Sequence, residues 1–228
     1  MKIKYVFILV AIALCSCSKT SSEPEIKTSL EVESHEVAYG FKELPKVCIE
    51  RVSLKLKNNP GDPFLLQERA ACYEKLKMHN EAIQDLDVAL ELVKNLTKND
   101  KPGQPVLGYG GIPFQGVTLT PGTALIRQNS SLHHQHEILF SRANIKYIAL
   151  DYSGAVDDFT KALEIDPDDY NSFTLKIFAL LESGNITYPD AMKDLGEARS
   201  LSEKAGDAAN VDLIVRLMQE LKNGNEKK

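Results

Sequence analysis

Residues 80–92, Asn-Glu-Ala-Ile-Gln-Asp-Leu-Asp-Val-Ala-Leu-Glu-Leu, return in altered form as residues 154–165, Gly-Ala-Val-Asp-Asp-Phe-Thr-Lys-Ala-Leu-Glu-Ile. An Arg-Ala pair precedes each stretch, at Arg69-Ala70 and at Arg142-Ala143. Repetition of a helix hairpin at this scale predicts a solenoid, in which each unit packs on its neighbours. Such an array presents a surface to other proteins, so the pattern favours binding over catalysis.

Both copies place small residues where two antiparallel helices must approach closely, and one bulky residue that fills the remaining space. These residues are Ala70, Ala82, Leu86 and Ala89 in the first copy and Ala143, Ala155, Phe159 and Ala162 in the second. The pattern resembles the tetratricopeptide repeat (TPR), a helix hairpin of about 34 residues. Pro167 stands at the family's proline position, whereas Lys94 replaces that proline in the first copy, and Lys146, beside Tyr147, replaces an aromatic residue.

The resemblance implies an all-α fold, a TPR-type α-solenoid of helix hairpins with a long insertion loop and a C-terminal capping helix. Leu44 to Lys57 resembles a lone second helix, and this half repeat and the first full repeat occupy residues 43–96. The second and third repeats occupy residues 135–204, and the capping helix and tail occupy residues 205–228. The inward apolar stripe of the cap is expected at Val211, Ile214, Val215, Met218 and Leu221.

An insertion separates the two full repeats. Ala82 and Ala155 hold the same repeat position but lie 155 − 82 = 73 residues apart, whereas adjacent repeats differ by about 34. The excess falls in residues 97–134, whose glycines and prolines predict a loop and not another helical repeat. Tyr109 and Phe114 give this loop aromatic content, so it either covers apolar repeat surface or contacts a partner.

The N-terminus predicts export. Lys2 and Lys4 precede an apolar run that is too short to span a bilayer, so residues 1–16 are expected to be a signal peptide that is removed. Residues 14–17, Leu-Cys-Ser-Cys, resemble a bacterial lipobox, which implies lipidation of Cys17; an ordinary secretory signal with incidental cysteines is the alternative. Ser18 stands where an inner-membrane retention signal would have Asp, which favours the outer membrane, and Lys19 stands where a surface-export signal would have an acidic run, which favours the periplasmic face. Residues 17–42 have the composition of a flexible tether.

Charge and motifs exclude several classes of function. Removal of residues 1–16 leaves 27 − 2 = 25 basic and 32 acidic residues, a balance of −7 without a basic cluster, so nucleic acid is not expected as a partner. The chain shows no nucleophile elbow, zinc-protease helix or phosphate loop, which predicts no enzyme activity and no cofactor. His133, His134 and His136 resemble a metal cluster, but this spacing without a Cys or carboxylate partner is weak for zinc.

Two cysteines remain in the repeats, Cys48 and Cys72, and both occupy small apolar positions on predicted helices. Free thiols buried as small hydrophobic residues are one interpretation. A disulfide between adjacent helices is the other, provided that the Cα atoms lie within about 7 Å in an oxidising compartment.

The TPR resemblance also implies a partner-binding groove lined by the first helices. The matching residues are Phe64, Gln67, Ala71 and Glu74 in one repeat and Glu137, Phe140, Asn144 and Tyr147 in the next. Phe64 and Phe140 could instead be packing residues. We therefore expect a membrane-anchored adaptor or scaffold that holds an envelope or periplasmic protein, with a small-molecule or glycan-binding lipoprotein that uses Tyr109, Phe114 and Tyr147 as the alternative.

Overall fold

The computed structural model of the chain describes residues 44–96, 98, 105–107, 113–118 and 121–225. Our expectations for the signal peptide (1–16), the lipidated Cys17 and the tether (17–42) lie outside these residues. Within the described ranges, no helix is both long and apolar enough to cross a membrane.

The described residues form eight helices and one short β-hairpin. In chain order these are α1 (Pro45–Asn58), α2 (Pro63–Lys75), α3 (His79–Leu96), β1 (Pro105–Leu107), β2 (Pro113–Thr118), α4 (Pro121–Ile148), α5 (Tyr152–Ile165), α6 (Tyr170–Ser183), α7 (Tyr188–Ala205) and α8 (Ala208–Asn225). Helices α2/α3, α4/α5 and α6/α7 are the hairpins of three full repeats. Helix α1 is a second helix without a first, and α8 follows the last repeat.

The core lies where the small repeat residues meet. Each of the following repeat residues has at most 1% of its surface exposed: Ala70, Ala82, Leu86 and Ala89 in the first repeat, Ala143, Ala155, Phe159 and Ala162 in the second, and Ala191, Leu195 and Ala198 in the third. The three second-helix positions are therefore buried in all three repeats, which confirms the prediction of a TPR-type α-solenoid. A side chain larger than alanine at the small positions would force the paired helices apart.

Local sequence signals set the helix ends. Asp62 caps α2 by accepting hydrogen bonds from the backbone N–H groups of Phe64 and Leu65, which would otherwise lack a partner. Asp151 and Asp169 cap α5 and α6 in the same way. At the other end of α6, Gly184 takes a left-handed conformation (φ 73°) that glycine adopts without steric cost.

The insertion is shorter than the expected loop, because α4 already begins at Pro121, inside the range 97–134. Its glycines and prolines end at Gly122, and the residues after it are compatible with helix, so the first helix of the second repeat extends backwards to 28 residues. Ser131 lies within this extended helix and donates from its buried hydroxyl to the carbonyl of Val93 (3.0 Å). The part before α4 contains β1 and β2, which pair in antiparallel fashion.

The capping helix α8 keeps most of the predicted stripe, since Val211, Met218 and Leu221 are half-buried, but Leu217 takes the place of Val215. Ile214 and Leu217 are buried, whereas Val215, which we expected to face inward, is 41% exposed. Each helical residue is rotated by about 100° from the one before it, so a stripe centred on Ile214 and Leu217 turns Val215 towards solvent.

Cys48 of α1 and Cys72 of α2 form a disulfide, with a Cα–Cα distance of 6.3 Å. Both residues are buried in the same cluster as Val52 and Leu66. The structure thus selects the second of the two interpretations that the sequence left open, and the bond ties the half repeat to the first full repeat.

Leu150, in the turn between α4 and α5, has a positive φ of 66°, and Lys77 has a φ of 60° in the turn between α2 and α3. A left-handed conformation costs a non-glycine residue about 1–2 kcal/mol. Because Leu150 is 62% exposed, its side chain contributes little burial. We expect Leu150→Gly to raise the free energy of unfolding by about 0.5–1 kcal/mol in urea denaturation. The neighbouring Ala149→Gly, at negative φ, should lower it, and an equal effect of both substitutions would contradict this explanation.

Candidate functional site

Each of the two full repeats singled out in the sequence contains an ion pair between its first and second helix. Arg69 donates two hydrogen bonds to the carboxylate of Asp85, both of 2.7 Å, and the residues are 16 apart in the chain. Arg142 binds Asp158 in the same bidentate manner, at 2.7 and 2.6 Å and the same separation. All four residues belong to the repeated sequence motif, in which no role for them was evident. Their identical spacing in both copies was the signal that could have revealed the pairs.

The same arginines also reach the preceding repeat. Arg69 donates to the hydroxyl of Ser53 in α1 (3.2 Å), and Arg142 donates to Asp87 in α3 (2.5 Å). Ser53 lies five residues after Cys48, and Asp87 lies five residues after Ala82, so both occupy the same repeat position. These contacts join successive repeats into one ladder, which holds the first helices in place beside one another.

Asp158 is the most buried member of this ladder. It also accepts a contact from Lys146 (2.8 Å), the residue at the position where the family has an aromatic. Burial by itself would raise the pKa of Asp158, but the hydrogen bonds from Arg142 and Lys146 outweigh it and hold the pKa below its ordinary value. The carboxylate is therefore charged at neutral pH.

An aromatic cluster spans the first helices of the two repeats. The ring of Phe64 in α2 stacks on that of His134 in α4, with centroids 4.2 Å apart and an interplanar angle of 20°. His134 Nε2 lies 2.5 Å from Oε1 of Gln67. Burial lowers the pKa of His134, so the imidazole is neutral at pH 7 and donates to the amide oxygen. Phe64 remains 53% exposed, and the cluster therefore presents a rigidly held aromatic face to solvent.

The other residues of the expected groove differ in how much of their side chains is exposed to a partner. Phe140 is half-buried and packs edge-on against the core residue Phe159, with centroids 6.1 Å apart. Asn144 is half-buried on the same helix. Tyr147 is 9% exposed and packs against Tyr152, which leaves little of its surface for a partner.

The remaining first-helix residues flank these positions. Ala71 and Glu137 are exposed, whereas Glu74 is half-buried. Burial raises the pKa of the Glu74 carboxyl, and the nearby His79 and Lys75 oppose this shift. We use the term first-helix surface for Phe64, Gln67, Glu74, Phe140 and Asn144.

The histidines that suggested a metal site point to separate partners. His134 belongs to the stack on Phe64, His136 binds Asp169 at 2.9 Å, and His133 lies 3.6 Å from Glu137. Within the part of the chain that the structure describes, no three His, Cys, Asp or Glu residues are placed to hold a metal ion. The contact between His136 and Asp169 instead joins the second and third repeats.

The expected contacts of the insertion lie outside the described side chains. Tyr109 is not among the described residues, and Phe114 is described only as part of the backbone of β2. The role expected for these two aromatics stays a prediction.

No protein-family model and no curated protein matches the chain. Among solved structures, MamA (41 to its end) from Desulfovibrio magneticus RS-1 is 12% identical, over 72% of this chain and 88% of that one, with a TM-score of 0.31. A thermophilic TPR protein in Thermus thermophilus is 15% identical, over 74% and 87%, with a TM-score of 0.33. The C-terminal part of a TPR repeat-containing protein from Cytophaga hutchinsonii is 14% identical, over 80% and 92%, with a TM-score of 0.24.

The identity of the fold rests on the packing of this chain itself. Small residues at equivalent positions are buried in three consecutive helix hairpins, and a repeated Arg–Asp pair joins the helices of the first two. By that packing, the chain has the fold of a TPR-type α-solenoid.

Proposed function

We propose that this protein is an adaptor or scaffold of the bacterial cell envelope. A lipid on Cys17 anchors it to the outer membrane, on the periplasmic face, and its first-helix surface holds a segment of a partner protein. The role is one of binding and not of catalysis.

The exposed stack of Phe64 on His134 is the observation that carries the binding role. A large aromatic residue that is half-exposed and already fixed in place loses little conformational entropy when a partner covers it. Aromatic residues of this kind dominate the energy of many protein interfaces. The Arg ladder supports this role because it fixes the two first helices that supply Phe64 and His134.

The disulfide supports the envelope location. Buried disulfides persist in oxidising compartments such as the periplasm and are rare in the bacterial cytosol. The pair of Cys48 and Cys72 thus agrees with the export signal and lipobox-like sequence at the N-terminus. Intact-mass spectrometry of the native protein should find a diacylglyceryl-type adduct on Cys17 that is lost in Cys17→Ser, and an unmodified Cys17 would refute the anchor.

Replacement of Phe64 by alanine should reduce binding of the partner at least tenfold, since an interface aromatic contributes about 2 kcal/mol or more. The measurement is crosslinking of the tagged protein in intact cells, followed by quantitative mass spectrometry of the recovered envelope proteins. Val88→Ala is the matched control, because Val88 is also half-exposed (50%) but lies on the second helix α3. Equal recovery with both variants would contradict binding at the first-helix surface.

The alternative, a glycan or small-molecule site, gains no support from Tyr147. Its ring is buried against Tyr152 and cannot stack on a ligand together with other rings. Deletion of residues 101–120, which precede α4, in the same crosslinking experiment would reveal whether the insertion takes part in recognition.

A further inference from the structure

Three helix ends meet at one edge of the second and third repeats. Tyr147 lies one residue before the end of α4, Tyr152 opens α5, and Glu182 lies one residue before the end of α6. First helices of successive repeats run in the same direction, so the ends of α4 and α6 share this edge with the start of α5. The two tyrosine rings meet edge to face, with centroids 5.4 Å apart and an interplanar angle of 62°.

Glu182 gives this edge a negative charge, and none of the cations that the structure describes pairs with it. Burial raises the pKa of its carboxyl, and no hydrogen bond or ion pair to it occurs among the residues that the structure describes. Its charge acts on both phenols, since burial and then Glu182 raise the pKa of Tyr147 and of Tyr152. A half-buried carboxylate has lost part of its hydration, and pairing with a cation compensates for the lost hydration energy.

Two exposed apolar side chains follow Tyr147 in the sequence at the same edge. Ile148 is 40% exposed and Leu150 is 62% exposed. Leu150 moreover occupies the left-handed conformation described above, where glycine would be more stable. Strain that is retained at an exposed residue points to a use for its side chain.

We propose that this edge, formed by Tyr147, Tyr152, Glu182, Ile148 and Leu150, receives a lysine or arginine side chain of a partner protein, with apolar residues of the partner beside it. The carboxylate of Glu182 pairs with the cation, the partly exposed ring of Tyr152 offers a face for a cation–π contact, and Ile148 and Leu150 cover the adjoining apolar residues. This inference rests on the proposed function, because it adds a second contact site, beside the first-helix surface, for the same partner protein.

Charge argues for a basic segment and against an acidic one. An acidic residue placed beside Glu182 would meet a like charge in partly desolvated surroundings, which is unfavourable. A metal ion is a poor occupant, because a single carboxylate with two phenols does not supply enough ligands for Mg²⁺ or Ca²⁺.

The test uses peptides selected from a random phage-displayed library on the immobilised full-length protein. The strongest peptide is synthesised, and its Kd is measured by fluorescence anisotropy with the wild-type protein, Glu182→Gln, Glu164→Gln and Phe64→Ala. Glu164→Gln is the matched control, because it removes the same charge from an exposed position on a different helix, α5. Circular dichroism and urea midpoints establish that each variant is folded.

We expect lysine or arginine next to apolar residues in the selected peptides, and at least a tenfold weaker Kd with Glu182→Gln but not with Glu164→Gln. Replacement of the peptide's cationic residue by glutamine should weaken binding equally, without further loss when combined with Glu182→Gln. Peptides that depend on Phe64 but are indifferent to Glu182 would overturn this inference and leave the adaptor role standing. Peptides indifferent to both residues, or no selected peptide, would overturn both.

Discussion

Replacement of Asp158 by alanine is expected to lower the free energy of unfolding by about 3–5 kcal/mol, the typical cost of removing one partner of a buried ion pair. The side chain of Asp158 is 1% exposed and compensates two cations, Arg142 and Lys146, which are 11% and 18% exposed. The substitution leaves both cations in poorly hydrated surroundings, and Asp87 is the remaining acceptor for Arg142 among the described residues. Urea denaturation at pH 7 measures the effect.

Asp85 occupies the same repeat position as Asp158, but its replacement should lower the free energy of unfolding by less. Asp85 is 9% exposed and pairs with Arg69, whose side chain is 23% exposed, so Asp85→Ala strands a single and better hydrated cation. The adjacent Asp157 forms no part of the ladder and provides the matched control, for which a change within about 0.5 kcal/mol is expected. If Asp157→Ala destabilises the protein as much as Asp158→Ala, the loss of stability comes from changing an aspartate on α5 and not from breaking the ladder.

The stabilisation supplied by the ion pair of Asp158 and Arg142 should depend on pH. The pKa of Asp158 in the folded protein lies below its ordinary value of 3.8, so the stabilisation is complete above that pH and is lost as the pH falls through the lower, folded value. The difference in stability between the wild type and Asp158→Ala should therefore narrow as the pH falls below about 3.8. A difference that stays constant down to about pH 2 would contradict charge pairing as its cause.

Removal of the disulfide should have the second large effect. Cys48 and Cys72 are separated by 24 residues, and closure of a loop of this length stabilises a protein by about 3 kcal/mol through the entropy of the unfolded chain. We expect the double variant Cys48→Ala, Cys72→Ala to lose about this amount in urea denaturation. The half repeat α1 should be affected most, because the bond is its covalent link to α2.

Reduction of the wild-type protein provides the control for this experiment. With dithiothreitol, its urea midpoint should fall towards that of the double alanine variant, whereas the reductant should leave the variant unchanged. A wild-type midpoint that is insensitive to the reductant would mean that the two cysteines are free thiols in solution.

The repeat register was predictable from the sequence because it depends on residue size at fixed spacing. Ala82, Leu86 and Ala89 lie on one face of a helix, and only small residues there allow the close approach of a second helix. The helix ends were equally local, since a cap such as Asp62 and a terminal glycine such as Gly184 act within one turn. These features determined the fold class without any knowledge of distant contacts.

The candidate site was predicted only in part. The family register identified Phe64 and Gln67 on the first helix, but nothing in the pattern indicated that His134, about one repeat and an insertion further on, would bind both of them. Tyr147 was expected in the groove and is instead buried against Tyr152, while Lys146 takes the contact with Asp158. A helix rotation of one residue, about 100°, is enough to exchange two such neighbours.

By itself, the sequence determined that this protein is built of stacked helix hairpins, because periodicity and small-residue spacing act within a single repeat. Only the tertiary structure decided how those hairpins join. It pairs Cys48 with Cys72 and lets Arg142 connect Asp158 to Asp87. It also brings Glu182 close enough to two tyrosines for its charge to act on both, with no cation paired to it among the described residues. These contacts link residues on different helices, and they depend on helix rotation and separation. Helix rotation and separation follow from the packing of the whole array, and no periodic pattern in the sequence records them.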